Sequence, residues 1–256
     1  MNLNAAQILV TRPVGQADNL CGLIEQLGGV ALRFPTLEIV EYPPEAAVLA
    51  AASHSDWLIF TSTNAVDFAI KAFNGKMPAS PKIAAVGKAT AQALENAGWR
   101  VDCVPASEFS SEGLLAEAAL QTVNHKYCFI VRGVGGRDKL EQGLRRRGAN
   151  VAYLEVYRRQ QPTIDNRDLV KRIAEQQLDA ITITSIEALQ NLLTMLDNPS
   201  AKQLKAILLV AASQRIAEAA EQLGFTQIAV SQQPTDVAIL ETLTTLFNGE
   251  NSGRRN

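Results

Sequence analysis

The chain has 256 residues, 47% hydrophobic and 20% charged, the composition of a folded globular protein with apolar surface for one or two cores. Lys and Arg total 24 against 26 for Asp and Glu, a formal net charge of −2, so no global basic field directs the protein to nucleic acid. No apolar run reaches the roughly 18 residues of a membrane span. The N-terminal stretch lacks the pattern of a secretory signal, so a cytoplasmic protein is expected.

Ile8-Leu9-Val10-Thr11-Arg12 reads as a strand and its loop. A helical stretch then stops at Leu27-Gly28-Gly29, and Val30–Phe34 forms a second strand. Glu38–Pro44 is non-helical and carries proline. Asp56–Phe60 is a strand entering Thr61-Ser62 and a helix, and Lys82–Val86 is another, leading through Gly87 to Thr90. Gly98 stops that helix before a short strand at Val101–Val104, and Ser110-Ser111-Glu112 caps a helix over Leu114–Leu120.

The series then starts again. Phe129–Gly133 is strand and turn, a helical stretch ends at Arg147-Gly148, and Val151–Leu154 is a strand. Glu155–Pro162 is a second non-helical stretch with proline. Ala180–Ile183 runs into Thr184-Ser185, and Ala206–Leu209 runs toward Ser213. Gly224, a strand at Gln227–Val230, and a cap at Thr235-Asp236 before a helix over Val237–Phe247 complete the copy. Val131 stands 121 residues after Val10, Asp179 stands 123 after Asp56, and Lys205 stands 123 after Lys82. So regular an offset marks an internal repeat. The tail from Gly249 to Asn256 reads as a frayed, solvated end.

The strand runs are short and apolar at nearly every position, as in a parallel sheet covered on both faces. Alternation with helices indicates βαβ units and a doubly wound α/β fold. The repeat predicts two similar lobes of about five strands each. Glu38–Pro44 and Glu155–Pro162 form a double-stranded bridge if the chain leaves one lobe at the first and returns at the second.

In an open α/β sheet, ligands bind beyond the carboxyl ends of the strands. Those ends carry Thr11-Arg12, Thr61-Ser62-Thr63-Asn64, Val86-Gly87-Lys88, Arg132-Gly133, Thr184-Ser185 and Ala212-Ser213-Gln214-Arg215. Small hydroxyl residues there serve first as helix caps. Several positive helix ends facing one cleft also suit anions, and two lobes presenting such ends suit a large polyanion.

Other chemistries are poorly supported. Gly133-Val134-Gly135-Gly136 is glycine-rich, but GxGxxG does not follow, and no GxxxxGK[ST] or GxSxG motif occurs. His54 and His125 stand apart without metal-ligand spacing and read as solvated loop residues, so no metal is expected. Cys21, Cys103 and Cys128 lie in apolar runs and read as reduced core thiols. Arg145-Arg146-Arg147 reads as the exposed last turn of a helix. Tyr157 lies in the second bridge-like stretch, where strand alternation makes it a packed aromatic and its hydroxyl makes it a candidate proton donor.

Taken in order, ILVTRP at Ile8–Pro13, FTSTNAV at Phe60–Val66, VGKAT at Val86–Thr90, SSEGLL at Ser110–Leu115, VRGVGGRDKL at Val131–Leu140 and RGANVAYLEVY at Arg147–Tyr157 resemble the uroporphyrinogen-III synthase family. TITSIEAL at Thr182–Leu189 fits too, whereas Ser213-Gln214-Arg215 follows two alanines where more polar residues are often seen. The resemblance implies two flavodoxin-like parallel-sheet lobes. Residues 1–37 with 161–256 form the first lobe, 45–154 form the second, and 38–44 with 155–160 are linker strands. It further implies dehydrative closure of hydroxymethylbilane, a linear tetrapyrrole bearing eight carboxylates, without a cofactor. The last pyrrole is inverted through a spiro intermediate. By motif position Thr11, Arg12, Ser62, Thr90, Ser185 and Ser213 are candidate substrate-binding residues and Tyr157 the candidate catalytic one. The expected partner is that small molecule alone, bound by a monomer, with no nucleic acid or membrane. Two rival readings remain: a non-enzymatic two-lobed small-molecule binding module and a nucleotide-dependent transferase.

Overall fold

The computed structural model describes residues 2–253, the last five by their backbone alone. In chain order the first elements are β1 (Gln7–Val10), α1 (Asp18–Gln26), β2 (Val30–Arg33), β3 (Glu38–Glu41), α2 (Ala46–Ser53), β4 (Trp57–Phe60), α3 (Thr63–Ala72), β5 (Lys82–Ala85) and α4 (Lys88–Asn96). The middle of the chain adds α5 (Ser111–Ala116), β6 (Tyr127–Gly133), α6 (Lys139–Arg146), β7 (Asn150–Gln160) and α7 (Arg167–Ala174). Then come β8 (Ala180–Ile183), α8 (Ile186–Thr194), α9 (Asn198–Leu204), β9 (Leu208–Ala211), α10 (Gln214–Gln222), β10 (Ile228–Val230) and α11 (Asp236–Gly253).

These elements form two compact units, Met1–Glu38 with Gln160–Asn256 and Ile39–Arg159, each built on one five-stranded sheet. In the first, the order is β10-β9-β8-β1-β2, all parallel. Renumbered along the chain this is 2-1-3-4-5, the flavodoxin-like order. The second sheet is ordered β3-β7-β6-β4-β5, with β4, β5, β6 and β7 parallel. Counted from β6, it is the same winding begun at a different point, with β3 added at the edge. The repeat explains this: β6 and β7 copy β1 and β2, while β4 and β5 copy β8 and β9.

The burial pattern shows why these segments became strands. All four residues of β4 and all four of β8 are buried, because helices cover both faces. The first unit packs one core around Ile8, Leu9, Ile181 and Leu209. The second has a cluster on each sheet face, one around Leu58, Phe60 and Val131, the other around Ile59, Ile130 and Val151. Cys21, Cys103 and Cys128 are buried free thiols. Matched stops close α1 and α6, where Gly28 (φ 72°) and Gly148 (φ 80°) take the left-handed conformation that other residues resist.

Three expectations need correction. Val101–Val104 is not a strand but a single bridge, Ala84 to Cys103. Asp102 spends its carboxylate on the Ile83 amide (2.9 Å), so a side chain replaces ladder pairing, and Pro105 follows. The helix expected over Leu114–Leu120 breaks at Glu117, whose backbone is extended, leaving α5 and a 3₁₀ turn at Ala118–Leu120. Finally, α11 carries helix to Gly253, past the expected fraying point at Gly249, and the rest of that tail lies outside the described residues.

Candidate functional site

Tyr157 is set by an irregularity in its strand. The pairing of β6 with β7 shifts between Arg132, opposite Glu155, and Gly133, opposite Tyr157, leaving Val156 as an extra residue. Such a bulge re-aims the side chains around it. Val156 and Tyr157 are neighbours that plain alternation would send to opposite faces, yet both join the Leu58–Phe60 core cluster. The Tyr157 ring stacks on Phe68 (centroids 5.7 Å apart, 26° between planes), and its hydroxyl lies 3.2 Å from Ser62 Oγ. Ser62 also caps α3 by accepting the Ala65 N–H (3.1 Å). Ser62 thus caps its helix, one of the two roles open to it from sequence, and also touches the Tyr157 hydroxyl, a contact the sequence does not reveal.

The glycine-rich turn after β6 makes this packing possible. A Cβ on Gly133 would lie 2.5 Å from Tyr157 Cε2, and one on Gly136 would lie 2.5 Å from Arg132 Nη2. These glycines give room to a phenol and a guanidinium within the protein itself. A pocket of about 470 Å³ opens here, lined by Ser62, Ser111, Arg132, Val134, Tyr157 and Arg159 among others. It sits at the carboxyl ends of β4 and β6, the edge where α/β folds bind ligands.

Arg132 is only 7% exposed. Its Nε donates to the Gly133 carbonyl (3.1 Å), its Nη1 to the Arg137 carbonyl (3.4 Å), and its guanidinium lies 4.6 Å from the Tyr153 ring centroid. Tyr153, the other tyrosine near this turn, already has a partner for its hydroxyl. Its hydroxyl donates to Glu141 Oε2 (2.5 Å), and burial together with that carboxylate pushes its pKa up to about 12. Arg132 lies within the VRGVGGRDKL stretch at Val131–Leu140 but is not among the candidate substrate-binding or catalytic residues read from the sequence. Its signal in the sequence is a cation ending an otherwise apolar strand, followed by three glycines in four positions.

The other candidates fall in different situations. In the first unit Thr11 is fully buried, its hydroxyl donating to the Thr182 carbonyl (2.8 Å). Arg12 is paired with Asp236 (2.5 Å), which also accepts from Asn19 Nδ2 (2.6 Å). That ion pair is close but poorly aligned, so neither Arg12 Nε nor Asp236 Oδ1 gains a hydrogen bond from it. Ser185 caps α8 through the Ala188 N–H (3.0 Å), whereas Ser213 at the start of α10 makes no side-chain cap bond. Thr90, in the second unit, is buried within α4. The structure thus brings together Ser62 and Tyr157, ties Thr11 and Arg12 to partners within the protein, and leaves the Ser213 hydroxyl unused by its helix.

His54 and His125 are exposed, and no group of three potential metal ligands occurs among the described residues. Arg145 bonds Glu141 (2.8 Å) and Arg147 the Leu120 carbonyl (3.2 Å), so two of the three clustered arginines are held within the protein. No described helix is long and apolar enough to cross a membrane.

A family model described as "Uroporphyrinogen-III synthase HemD" matches residues 18–241. Uroporphyrinogen-III synthase of Escherichia coli (strain K12) is 32% identical over 243 residues, covering 92% of this chain and 99% of that one. Among solved structures, uroporphyrinogen-III synthetase from Helicobacter pylori aligns at TM-score 0.62, with 15% identity and 94% and 99% of the two chains covered. A mutant uroporphyrinogen III synthase from the extremely thermophilic bacterium Thermus thermophilus aligns at TM-score 0.61, with 19% identity and 96% and 100% covered. At those identities the structural likeness speaks for the fold alone. The family match and the bacterial relative go further, and the chain belongs to the uroporphyrinogen-III synthase family.

Proposed function

We propose that the protein converts hydroxymethylbilane to uroporphyrinogen III and water, inverting the last pyrrole, as a cyclising hydro-lyase of haem biosynthesis. The observation within the site that carries this reading is the Tyr157 hydroxyl, held 3.2 Å from Ser62 Oγ where both residues line one pocket. The phenol protonates the departing hydroxyl, which leaves as water and generates an azafulvene cation. Attack by the substituted carbon of the terminal pyrrole gives the spiro intermediate. Fragmentation and reclosure at the free carbon release a proton that restores the phenol, so the cycle balances without an added co-reactant. Proton donation from a positioned acid contributes on the order of 10²–10⁴-fold. Holding the reacting carbons at attack distance contributes about 7–11 kcal/mol.

Of the residues marked by motif, we assign Ser62, Ser185, Ser213 and Arg12 to the substrate's carboxylates. We give Thr11 and Thr90, being buried, a supporting role behind them. We read 38–44 and 155–160 as linker strands, because the chain passes from one unit to the other after Glu38 and again after Arg159. We further propose that the protein acts in the cytoplasm as a monomer on a small molecule, without nucleic acid. Incubation with fresh hydroxymethylbilane, then oxidation and separation of the porphyrin isomers, tests the reaction. Type III isomer is expected. Type I alone would leave the two-lobed binding module as the better reading.

A further inference from the structure

We propose that Arg132 is an anion-docking residue that receives one carboxylate of the substrate on its Nη2 edge. The proposal rests on the reaction assigned above and adds to it a specific contact at a residue that is not among the candidate substrate-binding residues. Five guanidinium N–H groups require acceptors, and a buried cation without a counter-charge is costly. Protein carbonyls take only Nε and Nη1. Among the described residues no carboxylate forms an ion pair with Arg132, and its Nη2 makes no hydrogen bond within the protein. The side chain nevertheless lines the pocket, more than nine-tenths buried.

The surrounding chain keeps that edge open. Gly136, at φ 100°, lacks the Cβ that would stand 2.5 Å from Nη2. Tyr153 supports the guanidinium face at 4.6 Å and is itself held by Glu141, so the cation has a fixed position before a ligand arrives. A carboxylate meeting Nη2 forms a charge-assisted bond in a sheltered site, where such bonds are strongest. Because Arg132 and the Tyr157 ring both pack against the Gly133–Gly136 turn, a pyrrole anchored there by its acid side chain is presented toward the phenol. Arg132 therefore acts by binding and orienting, and Tyr157 by proton transfer.

Steady-state kinetics of Arg132→Gln and Arg132→Lys, with thermal unfolding recorded alongside, test this. Loss of one hydrogen bond to a charged group is expected to raise KM roughly ten- to a hundredfold in R132Q. The expected change in kcat is under about threefold, with R132K intermediate because it keeps the charge and loses the fork. An unchanged KM, or a fall in stability or kcat without a KM effect, overturns the proposal and leaves Arg132 as a clamp on its turn. Wild-type protein supplies an arm independent of variant folding. With ¹⁵N-labelled arginine side chains, saturating uroporphyrin III must shift the Arg132 signal, and a stationary signal overturns the assignment. If wild-type protein yields no type III isomer, the reaction proposed above fails, while the uroporphyrin titration still decides whether Arg132 docks carboxylates.

Discussion

Replacing Gly133 by alanine isolates the position of Tyr157 from its chemistry. The new methyl would lie 2.5 Å from Cε2, 2.7 Å from Cζ and 3.0 Å from Cδ2 of the Tyr157 ring. Carbon atoms settle at about 3.5 Å or more, so the ring must retreat by roughly 1 Å. Gly133 does not hold a left-handed conformation, so the backbone accepts alanine and the conflict is between side chains. Retreat is resisted by the Phe68 stack, and it separates the phenol from Ser62. Overpacking of this kind costs about 1–3 kcal/mol of stability. A reacting group misplaced by about 1 Å costs on the order of 10²-fold in rate. The assay is the initial rate of type III isomer formation, with urea unfolding for stability. In a Tyr157→Phe background the same glycine change should remove little further rate, since the displaced group is already disarmed, yet it should still destabilise. A Gly133→Ala protein with near-normal turnover, or one whose rate loss simply multiplies with that of Tyr157→Phe, refutes the reasoning.

Tyr157→Phe alone should slow ring closure well over tenfold with the fold intact, because the Phe68 stack and the Ser62 cap survive; near-normal turnover removes the phenol from catalysis. Asp236→Asn should cost about 2–3 kcal/mol in denaturant unfolding, below the full value for a buried pair because the side chains of Arg12 and Asp236 keep 17% and 13% exposure. A loss under about 0.5 kcal/mol would mean the pair contributes nothing. Burial pushes the thiol of Cys128 up to about 12 and that of Cys103 up to about 11, with Asp56 and Glu117 adding to the respective shifts. Both thiols therefore stay protonated and should resist a disulfide reagent at pH 8 until urea unfolds the chain; rapid labelling of native protein contradicts this burial.

Much of the architecture is legible in the sequence because parallel strands covered on both faces leave an unambiguous mark. Trp57–Phe60 is apolar throughout and Ala180–Ile183 is apolar but for Thr182, and all eight residues are buried, with Ser62 and Ser185 capping the helices that follow. The even offset between copies exposes the repeat and two similar sheets, but the crossing of the chain between units comes from the family resemblance and not from the repeat. Less visible are features decided by single competing hydrogen bonds. Asp102 takes the Ile83 amide, so Val101–Val104 is left with a single bridge although it occupies the place in the repeat that β10 holds in the other copy. The bulge opposite Arg132 and Gly133 has no signature in residue type, yet it determines where Tyr157 points. Glycines 133 and 136 are ambiguous for the same reason: sequence reveals the missing Cβ but not what fills the space. At Thr11 and Arg12 the motif marks a position at a strand end, while burial and the Asp236 pairing decide what each side chain can reach.

Uncatalysed closure of hydroxymethylbilane competes and joins the ends without inversion, so the partition between isomers measures directed closure. The decisive measurement is the type III fraction as the protein is titrated into a constant supply of hydroxymethylbilane. That fraction should climb saturably toward completion with wild-type chain and lag at equal concentrations of Tyr157→Phe. A product that stays type I at every protein concentration would contradict the assignment outright.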